Sequence, residues 1–300
     1  MTLPARDTRV LYPTGVLETS SRVLHTALAG DGRLAVISDA TSFHPVDAAW
    51  PDQPADTGAL HVRDQRYEVH DAVLAATDGG SLHLGADIPV RKGTDGWSFL
   101  VAHLVDPDAS IAEGDEVRIE ANAATRHALS AGHTACHLAS LALNRVLVDR
   151  WTKPAREDAL GRPDFDGIAI ASSRIVADGS VDRYRLNKSL RRAGFDTASL
   201  IAGLDGLDFA VAVADQLDQW IASGAAVRVE RDGELLTDRR SWVCELPEGT
   251  ARIPCGGTHL TSLAELSSVR PAFTLLDDAG TPVLEMTTVA SRVHPSAGLR

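Results

Sequence analysis

The segment from residue 123 to residue 148 constrains the fold of this chain more than any other part of the sequence. It contains no proline, and Gly132 is its one glycine. Its apolar side chains recur at helical spacing, at Leu129, Cys136, Leu138, Leu141, Leu143, Val146 and Leu147. This pattern predicts one long, largely buried helix.

The residues before this helix have a different pattern, in which short apolar runs alternate with turn signals. Glycine and aspartate occur together at 30–32, 78–80 and 94–96, where a positive φ costs glycine little. The runs between these turns predict strands at 22–28, 33–38, 59–62, 66–74, 81–84, 98–104 and 116–121. We therefore expect residues 1–121 to form a separate domain, a small antiparallel β-barrel.

The second half of the chain mixes helix and strand signals. Residues 151–165 are rich in proline, glycine and charge and predict a loop, and residues 207–223 predict a second helix. Further strands are predicted at 167–176, 226–231, 241–246 and 273–288, the last divided by a turn at 277–280. The sequence thus predicts the α+β class, with residues 122–300 forming a second domain around the long helix and an antiparallel sheet.

Charge and cysteine content exclude several classes of protein. The 300 residues include 29 Lys and Arg and 41 Asp and Glu, a net charge of −12, which argues against non-specific coating of nucleic acid or anionic lipid. The three cysteines, Cys136, Cys244 and Cys255, are too few for a disulfide framework and favour a reducing compartment. The sequence shows neither a signal peptide nor a run of the ~20 apolar residues that span a bilayer. We expect a cytoplasmic protein with no membrane partner and no obligate protein partner.

Two short motifs rich in metal-ligating residues lie 117 residues apart. The first, His133-Thr134-Ala135-Cys136-His137, lies on the long predicted helix, where positions i and i+4 share one face. The second, Cys255-Gly256-Gly257-Thr258-His259, follows a predicted strand end, and its glycines allow a tight turn. Three imidazoles and a thiolate suit Zn²⁺. The pair of motifs therefore predicts a zinc site with the ligands His133, His137, Cys255 and His259.

Other interpretations of these residues remain open. A set of four protein ligands is typical of a structural zinc site, which would make the chain a non-catalytic, zinc-stabilised binding protein. A zinc protease is excluded, because Thr134 stands where the HExxH motif places its general base. Cys136 is expected to be a small core residue and Cys244 a strand residue.

Beyond these ligands, the chain resembles the alanyl-tRNA editing proteins (AlaX), stand-alone relatives of the editing domains of alanyl- and threonyl-tRNA synthetases. HTACH and CGGTH are similar to the metal motifs of that family. The stretch 39–45, DATSFHP, is similar to the family's DxTxFxP, and the stretch 53–58, QPADTG, to its QPxDxG. His103, Arg126 and the stretch 114–117 also match the family pattern, which covers most of the chain except 154–205.

The resemblance implies a zinc-dependent hydrolase that works without ATP. Its reaction would cleave the ester between a wrongly attached amino acid, chiefly serine or glycine, and the terminal ribose of alanine tRNA, with water as the nucleophile. Thr41 and Gln53 would hydrogen-bond the amino acid, and Asp39 would position water or the substrate ammonium group. The alternative for these three side chains is an ordinary role in strands and turns.

The chain also departs from the family pattern. Between Pro45 and Gln53 the family has a glycine run, PxGGGQ, whereas this chain has VDAAWPD, which is three residues longer and lacks glycine. After CGGTH, residues 260–267 keep only Glu265 and the aliphatic residue after it from the family's xxTGEIG. These departures leave open a second substrate class, an aminoacyl ester that tRNA does not carry.

Residues 183–192, RYRLNKSLRR, contain five basic residues and no acidic one. Such a run is typical of a solvated helix face. Because its basic residues are concentrated, this run is also the candidate for contact with the acceptor end of tRNA, where Tyr184 could stack on a base or ribose. The cations that would follow the phosphates are Arg183, Arg185, Lys188, Arg191 and Arg192.

Overall fold

The computed structural model of the chain describes residues 3–47, 50–204 and 207–293, and it confirms the predicted α+β class. Ala48 and Ala49, within the stretch that replaces the glycine run, lie outside the described residues. The helices are α1 (Ala123–Val146), α2 (Phe165–Ala169), α3 (Lys188–Arg192), α4 (Thr197–Gly203) and α5 (Leu207–Ala222). The strands are β1 (Arg9–Val10), β2 (Glu18–Leu28), β3 (Leu34–Ser38), β4 (Ala40–Thr41), β5 (Gly58–Val62), β6 (Gln65–Val69), β7 (Asp71–Thr77), β8 (Leu82–Leu84), β9 (Ser98–Val105), β10 (Glu116–Ala121), β11 (Ile170–Val176), β12 (Gly179–Arg185), β13 (Val227–Arg231), β14 (Arg240–Leu246), β15 (Gly249–Pro254), β16 (Leu266–Asp278) and β17 (Thr281–Arg292).

Contacts within the chain divide it into two compact units. The first comprises the residues up to His127 together with 229–241 and 255–258, and the second comprises the remainder. The division into independent domains at 1–121 and 122–300 stays a prediction.

The first unit is built on an eight-stranded sheet in the order β6-β5-β10-β2-β3-β9-β7-β8. β2 joins the two halves of this sheet, because its first residues pair with β10 and its last residues pair with β3, with a register shift between Val23 and His25. Such an irregularity bends a strand and increases its twist. Both halves contribute to one core, which includes Val36, Leu60 and Ile119. Among the described residues the outermost strands, β6 and β8, do not pair with each other, so the predicted closed barrel is not confirmed.

The predicted strand at 66–74 is wrong as a single element. The chain forms β6 and β7 there, and they are separated at His70, whose backbone N–H donates to the carbonyl of Leu104 at 2.9 Å. β6 pairs with β5, whereas β7 pairs with β9, so the chain changes its partner strand at this residue. The alternation of buried residues shifts by one position across the break, from Val69 to Ala72.

The second unit contains an antiparallel sheet in the order β11-β12-β17-β16. The predicted helices at 123–148 and 207–223 are confirmed as α1 and α5, and α5 packs on β16, with the Phe209 and Phe273 rings 4.7 Å apart between centroids. A further sheet has the order β13-β14-β15. β15 ends at Pro254, which is the strand end predicted before the second motif, whereas no strand is predicted at β12. None of the helices described here is both long enough and apolar enough to cross a membrane.

Two predictions between residues 167 and 192 need correction, and a side-chain cap explains each. The predicted strand at 167–176 is confirmed over 170–176 as β11. Its first three residues belong to α2, because the Asp164 side chain accepts the N–H of Gly167 and caps a helical turn. The basic run is not one helix face, since its first residues end β12 and α3 starts only at Lys188, after a cap from Asn187 to the N–H of Leu190.

Candidate metal centre

Three histidines of the second unit form a compact cluster. α1 presents His133 and His137 one turn apart, with ring centroids 4.9 Å from each other. The ring of His259 lies 4.4 Å from that of His133 and 5.2 Å from that of His137, between centroids. In the described part of the chain, the group that could hold a metal ion consists of these histidines and Cys255, four residues before His259. The residues that the two motifs single out therefore fit a metal site.

A buried ring nitrogen of His137 is a second observation that fits a metal ligand. Its Nε2 is buried and has no hydrogen-bond partner among the described residues. Burial lowers the pKa of His137 to about 4, so the imidazole is neutral near pH 7 and a ring nitrogen keeps a free lone pair. Leaving a buried polar atom unpaired is unfavourable, and metal coordination would satisfy it. The buried indole of Trp242 lies 5.0 Å from the His137 ring between centroids and forms an apolar wall.

Thr134 orients the third histidine. Its hydroxyl is buried and accepts the N–H of Leu260 at 3.1 Å, while His259 Nδ1 lies 3.4 Å from the same oxygen. Histidine ligands of metal ions commonly donate their second ring N–H to a neighbouring group, and Thr134 Oγ1 is placed to be that group for His259. The sequence does not predict this role of Thr134, because the approach of residues 259–260 to α1 is a tertiary feature.

Two hydrogen bonds within the first unit hold Cys255 in place. Its backbone N–H donates to the carbonyl of Arg240 at 3.1 Å, and the N–H of Gly257 donates to its Sγ at 3.5 Å. Burial raises the pKa of the thiol to about 12. A thiol in this environment stays protonated near neutral pH unless a cation stabilises the thiolate.

Gln53 contacts the second motif directly. Its side-chain amide makes two hydrogen bonds with Thr258, one through each amide heteroatom. Both residues are buried. The structure therefore places Gln53 beside the CGGTH motif, although its predicted contact with an amino acid stays a prediction.

Thr41 lies in the core of the first unit, where its hydroxyl already has partners. His103 Nδ1–H donates to the carbonyl of Val36 at 3.1 Å, which leaves Nε2 as an acceptor for the Thr41 hydroxyl at 2.8 Å. The same hydroxyl accepts the N–H of Phe43 at 3.0 Å, and the side chain is fully buried. Burial lowers the pKa of His103 to about 4. These contacts agree with the alternative of an ordinary structural role for Thr41.

Asp39 and Asp56 lie in opposite environments. Asp39 is exposed and lines a surface cleft of the first unit. Asp56 is buried, accepts from Arg126 Nε at 2.8 Å and from Arg126 Nη2, and also accepts the N–H of His44 at 2.6 Å. Because Arg126 Nη2 also donates to the carbonyl of Ser42 at 2.6 Å, this ion pair joins the DATSFHP and QPADTG motifs. Asp39, Thr41 and Gln53 thus lie in three separate environments.

A buried polar network lies on another face of α1 and was not predicted. Cys136 is in the core, as expected, and its Sγ lies 3.5 Å from a carboxylate oxygen of Asp182. Asp182 also accepts hydrogen bonds from Ser173 at 2.6 Å and from Ser180 at 2.7 Å. Burial raises the pKa of the Asp182 carboxyl. Cys244 is buried in β14, again as expected.

The predicted tRNA-contacting residues are exposed, but two of them are paired. Arg183 forms an ion pair with Glu285 at 2.7 Å, and Arg185 lies 3.9 Å from Asp278. The exposed basic residues of the run on α3 are Lys188, Arg191 and Arg192. The prediction that Tyr184 stacks on a base is wrong, because its ring is fully buried and its hydroxyl donates to Asp166 at 3.0 Å.

The chain is similar to alanine–tRNA ligases. It is 27% identical to the enzyme of Ruegeria pomeroyi over 261 residues, which cover 85% of this chain and 25% of the ligase. It is 26% identical to the enzyme of Kineococcus radiotolerans over 275 residues, which cover 86% of this chain and 26% of the ligase. No model of a known protein family matches the chain. The chain thus spans about a quarter of the length of these curated relatives and is similar to one region of them.

Proposed function

We propose that this chain is a zinc-dependent hydrolase that removes a wrongly attached amino acid, serine or glycine, from alanine tRNA. The convergence of His133, His137 and His259 carries the proposal, because it brings the helix motif and the second motif together. Similarity to alanine–tRNA ligases over most of the chain supports tRNA as the carrier of the substrate. The resemblance to the AlaX family supports deacylation in trans, without ATP and in the cytoplasm.

The zinc ligands of this proposal are His133, His137, His259 and Cys255. Cys255 joins the set because its thiol is a soft donor that stands four residues before His259. Zinc held there supplies Lewis acidity toward an ester carbonyl or a water molecule. The remaining work falls to the protein: Thr134 orients His259, and Trp242 excludes water from one side of His137.

In this proposal the acceptor end of tRNA contacts the basic run. Lys188 and Arg192 are its strongest members, since they are exposed and form no ion pair with any described residue. Arg183 and Arg185 would have to exchange their carboxylate partners for phosphates, which makes them weaker contributors. In the proposed hydrolysis a water molecule is the nucleophile. The catalytic roles of Asp39, Thr41 and Gln53 stay predictions.

The altered stretch before Gln53 favours a second candidate, hydrolysis of an aminoacyl ester that tRNA does not carry. Trp50 is 49% exposed in this stretch, and Asp47 forms an ion pair with Lys92 at 2.7 Å. Bulky and charged side chains occupy this stretch, where the AlaX family has glycine residues. On this second proposal, the pocket for the amino acid therefore differs from that of the AlaX family. A net charge of −12 also suits a small ester better than a polyanion.

The donor set supports a third candidate, a binding protein with a structural zinc ion. Three imidazoles and a thiolate fill a tetrahedral shell, which is the usual composition of a structural site. Such a protein would bind one metal ion per chain, unfold on chelation and hydrolyse no aminoacyl ester.

One assay separates the three candidates. Release of serine is measured from serine-charged alanine tRNA and from serine ethyl ester, each with and without a chelator. The proposal predicts chelator-sensitive release from the charged tRNA, with weak competition by the free ester. Faster turnover of the ester, unaffected by uncharged tRNA, would favour the second candidate. Release from neither substrate by metal-loaded protein would favour the third.

A further inference from the structure

The first unit carries a cleft of about 960 Å³ that none of the proposed zinc ligands lines. Of the residues predicted to act in the reaction, Asp39 lines it. The side chains that matter for its chemistry are Arg6, Arg9, Leu24, Asp39, Trp97 and Leu235. Its volume lies in the range of small-molecule sites, and its wall combines cationic, aromatic and apolar groups.

The backbone beneath the two arginines is held from several sides. The N–H of Arg9 donates to the carbonyl of Asp39 at 3.0 Å, and the N–H of Val10 donates to the carbonyl of Glu234 at 2.8 Å. Just before them, the Asp7 carboxylate accepts the N–H of Phe99 at 2.8 Å. The arginine side chains therefore project from a fixed rim, which reduces the entropy lost when a ligand binds.

Both guanidinium groups are free to bind an anion. Arg6 and Arg9 are exposed, and neither side chain forms an ion pair or hydrogen bond with any residue that the structure describes. This differs from Arg126, whose guanidinium is buried against Asp56. Two guanidinium groups that line one cleft and have no carboxylate partner among the described residues favour phosphate, which accepts their fork of N–H donors.

The rest of the wall suits a base and a ribose. Leu24 is 36% exposed and Leu235 is 42% exposed, so both offer apolar surface to a ligand. The half-buried Trp97 ring lies 5.6 Å from the His83 ring between centroids, which limits its movement. Asp39 adds an exposed carboxylate that can accept from a ribose hydroxyl or an amino group. Phosphate, aromatic surface and hydroxyl together are the features of a nucleotide.

We infer that this cleft binds an unpaired nucleotide of RNA, with phosphates on Arg6 and Arg9 and the base against Trp97 and Leu235. The identity of that RNA as tRNA rests on the proposed function. Aromatic side chains beside a cationic track are the usual means of holding single-stranded nucleic acid. The cleft would give an acidic protein a local site for a polyanion.

Binding of a fluorescein-labelled RNA tetranucleotide, four adenosines long, tests the inference by anisotropy at two salt concentrations. In the variant Arg6→Ala/Arg9→Ala, affinity is expected to fall at least tenfold. The slope of log affinity against log salt is expected to decrease by about 1.4, which is roughly 0.7 for each lost phosphate contact on a single strand. Arg66→Ala is the control, because Arg66 is exposed on β6 and its side chain forms no ion pair or hydrogen bond with any described residue.

Two further measurements identify the class of ligand and test the role of Trp97. Trp97→Leu is expected to weaken binding while Trp97→Phe preserves it, with thermal unfolding showing that both variants fold. Adenosine monophosphate that binds as tightly as the tetranucleotide would identify a free nucleotide site and overturn the assignment to RNA. Unchanged binding in the double-arginine variant would overturn the cleft itself.

The same variants separate this inference from the proposed function. If the wild-type protein releases serine from charged tRNA and Arg6→Ala/Arg9→Ala has the same RNA affinity and KM, the cleft inference fails while the proposed function stands. If the double variant loses RNA binding but the wild-type protein releases no amino acid, the proposed function fails while the cleft inference stands.

Discussion

Gln53 and Thr258 form a buried, two-point hydrogen-bonded pair. Gln53 Nε2 donates to Thr258 Oγ1 at 3.0 Å, and the N–H of Thr258 donates to Gln53 Oε1 at 3.0 Å. The pair joins positions 205 residues apart in the sequence and fixes the residue that precedes His259. Gln53 therefore acts on the metal motif as a positioning residue, through Thr258.

Gln53→Ala should weaken both the fold and metal binding. It removes two hydrogen bonds to Thr258 from a buried site, which costs about 1–3 kcal/mol of unfolding free energy. Urea unfolding of the metal-loaded protein and titration with Zn²⁺ measure the two effects. Gln65→Ala is the control, because Gln65 is exposed on β6. Equal zinc affinity in the wild-type and Gln53→Ala proteins would rule out the positioning role.

Gly132→Ala should destabilise the helix that carries two of the histidines. A Cβ at this position would lie 2.4 Å from the carbonyl oxygen of Val176 and 2.5 Å from that of Gly179. These are backbone atoms, so the helix must shift, and overpacking of this kind costs about 1–3 kcal/mol. Thermal unfolding measures the loss. Gly30→Ala should be nearly neutral, since a Cβ there meets no atom of the described residues within 4 Å. An equal loss of stability in both variants would contradict the role of Gly132.

Asp56→Ala should be among the most destabilising single changes in the first unit. The Asp56 and Arg126 side chains are 1% and 6% exposed, so removal of the carboxylate leaves a buried guanidinium without its counterion. Breaking a buried pair in this way costs about 3–5 kcal/mol. Chemical denaturation measures it, with the exposed Glu18→Ala change beside Arg118 as the control. If Asp56→Ala lowers the unfolding free energy no more than Glu18→Ala does, the Asp56–Arg126 pair does not connect the two motifs.

Acidification should destabilise the first unit through His103. Its folded pKa of about 4 lies below its ordinary value of 6.5, so the unfolded chain binds the proton first as the pH falls. The stabilising effect of neutral His103 is complete above pH 6.5 and decreases toward pH 4, by up to about 3 kcal/mol. Because burial also lowers the pKa of His44 and His137 to about 4, the test compares wild-type protein with His103→Gln. An identical pH dependence of the two unfolding free energies would exclude this contribution.

The long helix and the metal-ligating residues could be predicted because their signals are local. α1 follows from apolar periodicity without proline, and the helical spacing of His133 and His137 places them on one face. The hairpin of β2 and β3 follows from the turn residues at 30–32. These elements depend little on residues distant in the sequence.

The remaining features depend on contacts between distant segments. The break at His70 reflects a change of partner strand, and the hydrogen bond between Thr134 and Leu260 joins residues 126 positions apart. The burial of Tyr184 was missed because the basic residues around it suggested an exposed helix, whereas β12 alternates its side chains between two faces. A single sequence without tertiary information does not contain these relationships in readable form.

Metal-dependent deacylation is tested most directly by the rate of serine release from serine-charged alanine tRNA in the variant Cys255→Ala/His259→Ala. The zinc content of each preparation is measured in parallel. His70→Ala serves as the control, because His70 pairs with Asp106 and neither residue belongs to the two motifs. We predict one zinc ion per chain and serine release in the wild-type and His70→Ala proteins, and neither in the double variant. Full activity in a zinc-free double variant would contradict the account.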